Sequence, residues 1–186
     1  MRKNFGAKAI LYPMPVLIIG TYDENGKPNA MNAAWGGISE ETEISICIDD
    51  GHKTAENVAK TGAFTVSIAD TYNVAQCDYV GLVSGNDVPD KIEKTGWHVT
   101  KSEFVNAPLF DELPMALECK LISYDVESCR LVGEIVNVSV DEEILDENGR
   151  TDLNKFTPIT YDTIHHIYRK IGEIAGKAFD SGKILK

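Results

Sequence analysis

The sequence predicts a mainly β fold, organised as a closed or nearly closed antiparallel barrel. Several strand-like runs follow one another, the helical segments between them are short, and strands do not alternate regularly with long helices. Closing the sheet into a barrel removes exposed strand edges, which suits such a pattern. A doubly wound α/β arrangement is the alternative, and the lack of long interleaved helices disfavours it.

Composition and charge limit the number of domains, the binding partners and the cellular location that this chain can be expected to have. A chain of 186 residues can bury about 70% of its unfolded surface, so one core is sufficient, and residues 1–186 are expected to form one domain. The net charge of −11 opposes binding to nucleic acid and to anionic membranes. No apolar stretch is long enough to cross a membrane and no signal peptide is recognisable, so we expect a cytoplasmic location. The four cysteines are then expected to be reduced and mostly buried: Cys47, Cys77, Cys119 and Cys129.

The first third of the chain predicts a hairpin followed by a third strand. Val16–Tyr22 and Asn29–Trp35 flank the dipeptide Asn25-Gly26, which readily adopts the positive φ angles of tight turns. Isoleucines then alternate with Ser45 and Cys47, which predicts a strand with one face in the core.

The remaining elements follow from cap residues and apolar patterns. Thr54 is the predicted N-cap of a helix that ends near Gly62. Thr100–Glu112 is expected to be irregular, and Tyr161–Phe179 has no clear periodicity. The predicted elements are helix 55–60, strand 63–68, helix 73–82, a short helix from 89 to 95, and a hairpin of strands 115–126 and 130–140.

The segment His52–Asn57 has the residue types of a phosphate site. Lys53 supplies a cation, Thr54 a hydroxyl, and the first amides of the helix a favourable dipole. Asn57 lies one turn later on the face of Thr54. The alternative is that Thr54 only caps a surface helix and that Lys53 is solvated.

The strand Asn29–Trp35 carries small side chains that leave its main chain accessible. The N–H groups of Ala30, Ala33 and Ala34 can bond the carbonyls of a flat heterocycle, and Asn32 adds a donor and an acceptor. Trp35 can form a wall of the pocket. The alternative is a barrel corner built from small residues, with Trp35 in the core.

Together these segments resemble the flavin reductase-like, FMN-binding split-barrel family, and most closely its flavoredoxin-type branch. The resemblance rests on motifs that keep their order over nearly the whole chain. They are Pro13-Met14-Pro15-Val16, Asn29-Ala30-Met31-Asn32-Ala33-Ala34-Trp35, His52-Lys53-Thr54-Ala55-Glu56-Asn57, Gly81-Leu82-Val83-Ser84-Gly85, Leu117-Glu118-Cys119 and Tyr168-Arg169-Lys170-Ile171-Gly172.

The resemblance implies a six-stranded Greek-key split barrel with short flanking helices, which binds FMN near a homodimer interface. Strand 29–35 would line the isoalloxazine, and Lys53, Thr54 and Asn57 would hold the phosphate. The loop that contains Ser84 and Gly85 would cover the ring. Tyr168 and Lys170 either reach the phosphate or pack the C-terminal segment. The chain departs from the family pattern at Val80 and Asn86, where relatives often carry a cysteine and a basic residue.

No constellation of catalytic side chains is recognisable, because the histidines are scattered and the acidic runs do not have the spacing of a metal loop. The flavin itself would supply the chemistry. The resemblance therefore implies an oxidoreductase that passes electrons from a reduced nicotinamide, or from another redox protein, to flavin or another acceptor. An electron carrier without hydride chemistry and a binding module without catalysis are the alternatives.

Overall fold

The computed structural model describes all residues from Met1 to Lys186 and consists mainly of β-strands. In chain order the elements are β1 (Met14–Pro15), β2 (Leu17–Tyr22), β3 (Pro28–Ala33), β4 (Gly36–Glu40), β5 (Glu43–Cys47), α1 (Lys53–Thr61), β6 (Ala63–Ile68), α2 (Val74–Leu82), α3 (Lys91–Thr95), β7 (Val99–Lys101), β8 (Pro108–Phe110), β9 (Met115–Asp125), β10 (Arg130–Val140), β11 (Ile159–Asp162) and β12 (Ile167–Lys170). Two 3-10 turns lie at Glu142–Ile144 and Ser181–Leu185.

Seven strands form one antiparallel sheet in the order β3-β2-β6-β9-β10-β5-β4. β3 and β4 are consecutive in sequence but occupy opposite ends of this order, so the sheet curls until its ends meet at Ala34 and Trp35. The Cys47 amide donates to the Trp35 carbonyl at 2.8 Å, which extends the β4–β5 pairing up to this junction. The expected split barrel is confirmed, with seven strands in the sheet rather than six.

Strand β2 is buried on both faces because it separates the two parts of the core. Leu17 and Ile19 pack inside the barrel in a cluster that includes Phe64. Ile18 packs on the outer face in a second cluster beneath α2, α3 and the aromatic ring of Trp97. The two clusters fix α1 and α2 on either side of β3, which is the arrangement that builds the site.

Several expectations about local structure were wrong at element ends. Helix α1 starts at Lys53 with His52 as its N-cap, so Thr54 is not the cap but a buried residue of the first turn. Strand β3 stops at Ala33, so Trp35 lies beyond it with 61% of its surface exposed and is not a core residue. Cys47 is exposed because it is on the β5 face opposite the buried isoleucines.

Three short pairings were missing from the sequence-based assignment. Strand β4 pairs with β5, β7 pairs with β8 within the segment expected to be irregular, and β11 pairs with β12 in the segment without periodicity. Each is at most five residues long, which is too short to give a clear period of two. The hairpin β9–β10, helix α2 and the αL cap at Gly62 are confirmed.

No helix in the structure has the length and apolar character needed to cross a lipid bilayer.

Candidate functional site

Three adjoining cavities run along the outer side of β3, and the side chain of Asn32 borders all of them. We call them the loop cavity, the tyrosine cavity and the apolar cavity; their volumes are about 390, 320 and 650 Å³. Each volume falls in the range of small-molecule sites in proteins. Together they form one groove, polar at the α1 end and apolar near the junction of β3 and β4.

The loop cavity lies between the start of α1 and the segment after α2. It is lined by Asn29, Met31, Asn32, His52, Lys53, Thr54, Val80, Gly81, Leu82, Val83, Ser84, Gly85, Asp87 and Lys91. The first N–H groups of α1 have no acceptor within the helix, and they carry the positive end of its dipole. This end of the groove is therefore suited to an anion.

Asn29 and Thr54 form a buried polar pair in the wall of the loop cavity. Asn29 Nδ2 donates to Thr54 Oγ1 at 3.0 Å, so the hydroxyl proton of Thr54 remains available to another acceptor. The other amide atom, Asn29 Oδ1, is buried and has no hydrogen-bond partner. A Cβ built on Gly85 would collide with Asn29 Oδ1, so only glycine allows the loop to approach so closely. The pair thus leaves one donor and one acceptor for a ligand.

Lys53 is held by an acidic neighbour on its own helix. Its Nζ contacts Glu56 Oε2 at 3.0 Å, and Glu56 Oε1 contacts Lys60 at 2.9 Å. Hydrogen bonds from Lys60 and then from Lys53 lower the pKa of Glu56, so this carboxylate stays ionised near neutral pH. A phosphate that binds here must share Lys53 with Glu56.

The middle of the groove exposes the main chain of β3. This strand pairs only with β2, so every second residue directs its N–H and C=O groups away from the sheet. Asn32 is oriented by a hydrogen bond from Nδ2 to the Cys77 carbonyl at 2.9 Å. A Cβ on Gly81 would lie 2.9 Å from the Cβ of Asn32, which shows how closely α2 packs against this strand.

The apolar cavity is the larger, more hydrophobic end of the groove. It is lined by Ala9, Met31, Asn32, Ala33, Ala34, Trp35, Cys47, Ile48, Asp49, His52, Cys129, Tyr161, Thr163 and His166. Small side chains and exposed Trp35 leave room for a flat aromatic group against the end of β3.

The tyrosine cavity connects β3 to the C-terminal hairpin. Tyr168 donates its hydroxyl proton to Asp78 at 2.7 Å, and Tyr161 bonds His166 Nδ1 at 2.8 Å. Burial, and then the bond to Asp78, raise the pKa of Tyr168, so it remains a neutral phenol. Behind this cavity, burial raises the pKa of the Cys77 thiol to about 12, so Cys77 is a neutral core residue.

The comparison with known families decides the class of this chain. The profile described as "Flavin reductase like domain" matches residues 9–166, which is most of the sequence. The chain belongs to this family.

Solved structures and curated sequences similar to this chain cover most of its length. Flavoredoxin of Desulfovibrio vulgaris (Miyazaki F) is 37% identical, with a TM-score of 0.93 over 98% of this chain and 100% of that one. Flavoredoxin from Methanosarcina acetivorans is 28% identical, with a TM-score of 0.86 over 100% and 98%. An uncharacterised protein of Aeropyrum pernix is 28% identical over 82% of this chain, which spans 58% of that protein's length.

The structure brings most of the predicted residues of this flavin reductase-like chain to the groove. Eleven of the fifteen line the loop or apolar cavity directly, and Tyr168 lines the tyrosine cavity. The eleven are Asn29, Met31, Asn32, Ala33, Ala34, Trp35, His52, Lys53, Thr54, Ser84 and Gly85.

Three predicted residues lie elsewhere. The side chain of Ala30 packs in the outer core cluster, so only its main chain can serve the groove. Asn57 is fully buried; its Nδ2 donates to Thr21 Oγ1 at 3.0 Å, and it faces a separate cavity behind Gly85. Lys170 is exposed on β12 and borders none of the three cavities.

Sequence reasoning missed groove residues that arrive through long-range pairing. Cys129 reaches the apolar cavity because β10 pairs with β5, and Tyr161 arrives with the unpredicted strand β11. Lys91 reaches the loop cavity from the start of α3. None of these three residues belongs to a local sequence motif that indicates a binding site.

Proposed function

We propose that this protein is an FMN-dependent oxidoreductase that passes electrons from a reduced nicotinamide to another acceptor. The observation that supports it best is the groove along β3, with an anion-binding end at α1 and an apolar end at Trp35. Membership of the flavin reductase-like family and the flavoredoxin relatives support FMN as the cofactor.

The residues present fit such a cofactor. The ribityl chain of FMN carries hydroxyl groups. Asn29 Oδ1 is buried, has no hydrogen-bond partner in the protein, and would accept from one of these hydroxyl groups. The free hydroxyl proton of Thr54 and the first amides of α1 suit the phosphate. Gly85 lets the loop after α2 approach Asn29 and Lys53 more closely than any larger residue would allow.

Each part of the groove would contribute a separate function to binding. Lys53, Thr54 and the α1 amides would hold the phosphate, while Asn32 and the main chain of β3 would bond the polar edge of the ring. Such donors favour negative charge on the ring when it is reduced. When bound, the flavin supplies the redox chemistry. The apolar cavity would exclude water from the ring, and the neutral Cys77 and Tyr168 side chains would take no part in proton transfer.

Similarity to two flavoredoxins favours a second candidate, an electron carrier without hydride chemistry. Rapid mixing of the FMN-loaded protein with NADH and with NADPH distinguishes the two. Loss of the oxidised flavin absorbance on mixing with either nucleotide supports the oxidoreductase. No reduction by either nucleotide, together with reduction by a low-potential protein donor, supports the carrier.

We also propose that the protein acts as a homodimer. Large apolar side chains are exposed along both terminal segments, among them Phe5, Leu11, Ile174, Phe179 and Leu185. A second copy could cover these residues, and the resemblance to the family implies an interface near the flavin.

The test of the cofactor is direct. The purified chain should carry a yellow chromophore, or the apoprotein should bind FMN with one-to-one stoichiometry in a fluorescence titration. Folded protein, verified by circular dichroism, that neither carries nor binds FMN would contradict the proposal.

A further inference from the structure

A buried lysine beneath the loop cavity has no role in the site described so far. Lys91 opens α3 and is only 3% exposed. Its Nζ donates to the carbonyl oxygens of Val83 at 2.7 Å and Val80 at 3.1 Å, which belong to the last turn of α2 and its cap. The side chain forms no ion pair, so only the dipoles of these two neutral carbonyl groups stabilise its positive charge.

This arrangement is costly unless an anion completes it. A buried ammonium normally has a carboxylate partner, because desolvation of a lone charge costs several kcal/mol. The two carbonyls use two of its three N–H groups, and the C-terminal dipole of α2 supplies a partial negative charge. One donor and most of the positive charge remain without a partner.

Lys91 faces the same space as Lys53. Both side chains border the loop cavity, and both border a further cavity of about 240 Å³ on the other side of Gly85, which we call the lysine cavity. Asn29 and Gly85 border the two cavities as well. The wall around Gly85 therefore has a lysine from α1 and a lysine from α3.

The charged groups around Lys91 do not neutralise it. His52, Lys53 and Asp87 share the loop cavity with it, and Asp23 and Lys27 share the lysine cavity. Neither aspartate forms an ion pair with Lys91.

On α3 itself, Asp90 is paired with Lys94 at 2.9 Å, and Glu93 forms no ion pair with Lys91. Burial without a counter-charge lowers the pKa of Lys91 to about 8. A nearby dianion would stabilise the ammonium and raise this pKa again.

We propose that Lys91 is the second cation of the phosphate site, that it holds the loop after α2 in position, and that phosphate binding completes its charge pairing. The inference rests on the proposed binding of FMN. A consequence is that FMN binding above pH 8 takes up a proton, because part of the free protein then carries neutral Lys91.

The experiment compares FMN with riboflavin, which lacks the phosphate, between pH 7 and pH 9.5. For the wild type, FMN affinity should fall with rising pH, by up to about tenfold per pH unit above pH 8, since one proton is linked to binding. Calorimetry at pH 8.5 in two buffers of different ionisation enthalpy should detect the uptake of a fraction of one proton. Riboflavin should show neither effect.

Two variants separate charge from packing. Lys91→Arg keeps a charge at every pH tested, so its FMN affinity should lose the pH dependence. Lys91→Met removes the charge and should weaken FMN binding at pH 7 by about tenfold or more, with riboflavin binding changed much less. If Lys91→Met does not fold, the wild-type proton uptake and Lys91→Arg still decide the question.

The possible failures are distinguishable. Wild-type protein that binds FMN with no proton uptake and no pH dependence beyond that of riboflavin would overturn the role of Lys91 and leave the flavin-binding function standing. An equal loss of both ligands in Lys91→Met would reduce Lys91 to a packing role. Wild-type protein that binds neither ligand would overturn both proposals.

Discussion

At the scale of single residues, the site depends on how donors and acceptors are shared. Thr54 accepts from Asn29 and keeps its own proton, whereas Lys53 is shared with Glu56. A ligand phosphate therefore meets one free hydroxyl and one cation that already has a partner. The acidic chain, with a net charge of −11, can hold an anion here because these donors are local.

Replacement of Lys53 tests this sharing. Lys53→Ala should weaken FMN binding by about 10- to 100-fold, since a hydrogen bond to a charged group contributes about 1.5–3 kcal/mol. Riboflavin binding should hardly change, because that ligand has no phosphate. Titration of flavin fluorescence with both ligands measures the two affinities.

Lys60→Ala is the matched control for this change. It removes the other lysine bonded to Glu56 but does not border the loop cavity. It should leave both affinities within about twofold of the wild type. Equal losses for FMN and riboflavin in Lys53→Ala would mean that Lys53 does not contact the phosphate.

At the scale of elements, the groove exists because α2 approaches β3 very closely at Gly81. A methyl group there would lie 2.9 Å from the Cβ of Asn32. Gly81→Ala should push α2 outward, destabilise the fold by about 1–3 kcal/mol, and weaken flavin binding through displaced Asn32. Thermal unfolding and flavin titration measure the two effects.

Gly37→Ala, in the exposed strand β4, adds its methyl group to open space and serves as the control. It should leave flavin binding and the melting temperature nearly unchanged. A Gly81→Ala protein with wild-type affinity would show that the spacing of α2 and β3 does not control the site.

The C-terminal hairpin is tied to the N-terminal segment through Asp162. This buried carboxylate accepts from Tyr12 at 2.7 Å, His165 at 2.9 Å and Arg169 at 3.1 Å. The Tyr12 hydroxyl, followed by His165 and Arg169, lowers the pKa of Asp162. Because the folded pKa lies below the unfolded value of about 3.9, the stabilisation is complete above that value and is lost as pH falls further.

Asp162→Asn should therefore lower the melting temperature at pH 7, and the difference from the wild type should shrink as pH falls below about 4. Differential scanning calorimetry from pH 7 to pH 3 measures it. Glu173→Gln, in an exposed segment where Glu173 has no ion pair, should show no such trend. A difference that stays constant down to pH 3 would contradict the ionic origin of the effect.

The sequence predicts these elements to different extents, for physical reasons. Long strands β9 and β10 and helix α2 have enough residues to show their period, so they were predicted within two residues at each end. Strand β4 was missed because Gly36 and Gly37 carry no side chains to alternate. The start of α1 was misplaced because Thr54 resembles a cap, although the structure uses its hydroxyl in the buried pair with Asn29.

The residues of the candidate site also divide into those that a local sequence pattern predicts and those that it does not. The polar end was predictable because Lys53 and Thr54 are adjacent in sequence and lie in the first turn of one helix. Cys129, Tyr161 and Lys91 were not predictable, since sheet pairing and the packing of α3 bring them from distant positions. Local patterns therefore predict the residues at the polar end of the groove, and only the fold reveals its opposite walls.

At the scale of the whole molecule, the curled sheet places its two ends beside the groove. β3 forms one edge of the sheet and β4 the other, and the apolar cavity lies where they meet. The segment after β12 has largely exposed side chains, and Ile174 and Phe179 are the most exposed large apolar residues in it. An isolated chain would thus expose apolar surface along its C-terminal segment.

The last prediction concerns assembly. Sedimentation equilibrium of the wild type should give twice the 20.4 kDa mass of one chain, because pairing would bury these side chains at about 1.5–3 kcal/mol each.

The double variant Ile174→Asp, Phe179→Asp should raise the dimer dissociation constant at least tenfold, since two charges would have to be buried or displaced. Val126→Asp, at an exposed apolar position in the β9–β10 turn outside the C-terminal segment, is the control and should leave the mass unchanged. A wild type that sediments as a single chain would contradict the dimer, whereas a double variant that remains dimeric would move the interface away from the C-terminal segment. If the interface also supports the ring site, the dissociated variant should bind FMN more weakly than the control at the same chain concentration.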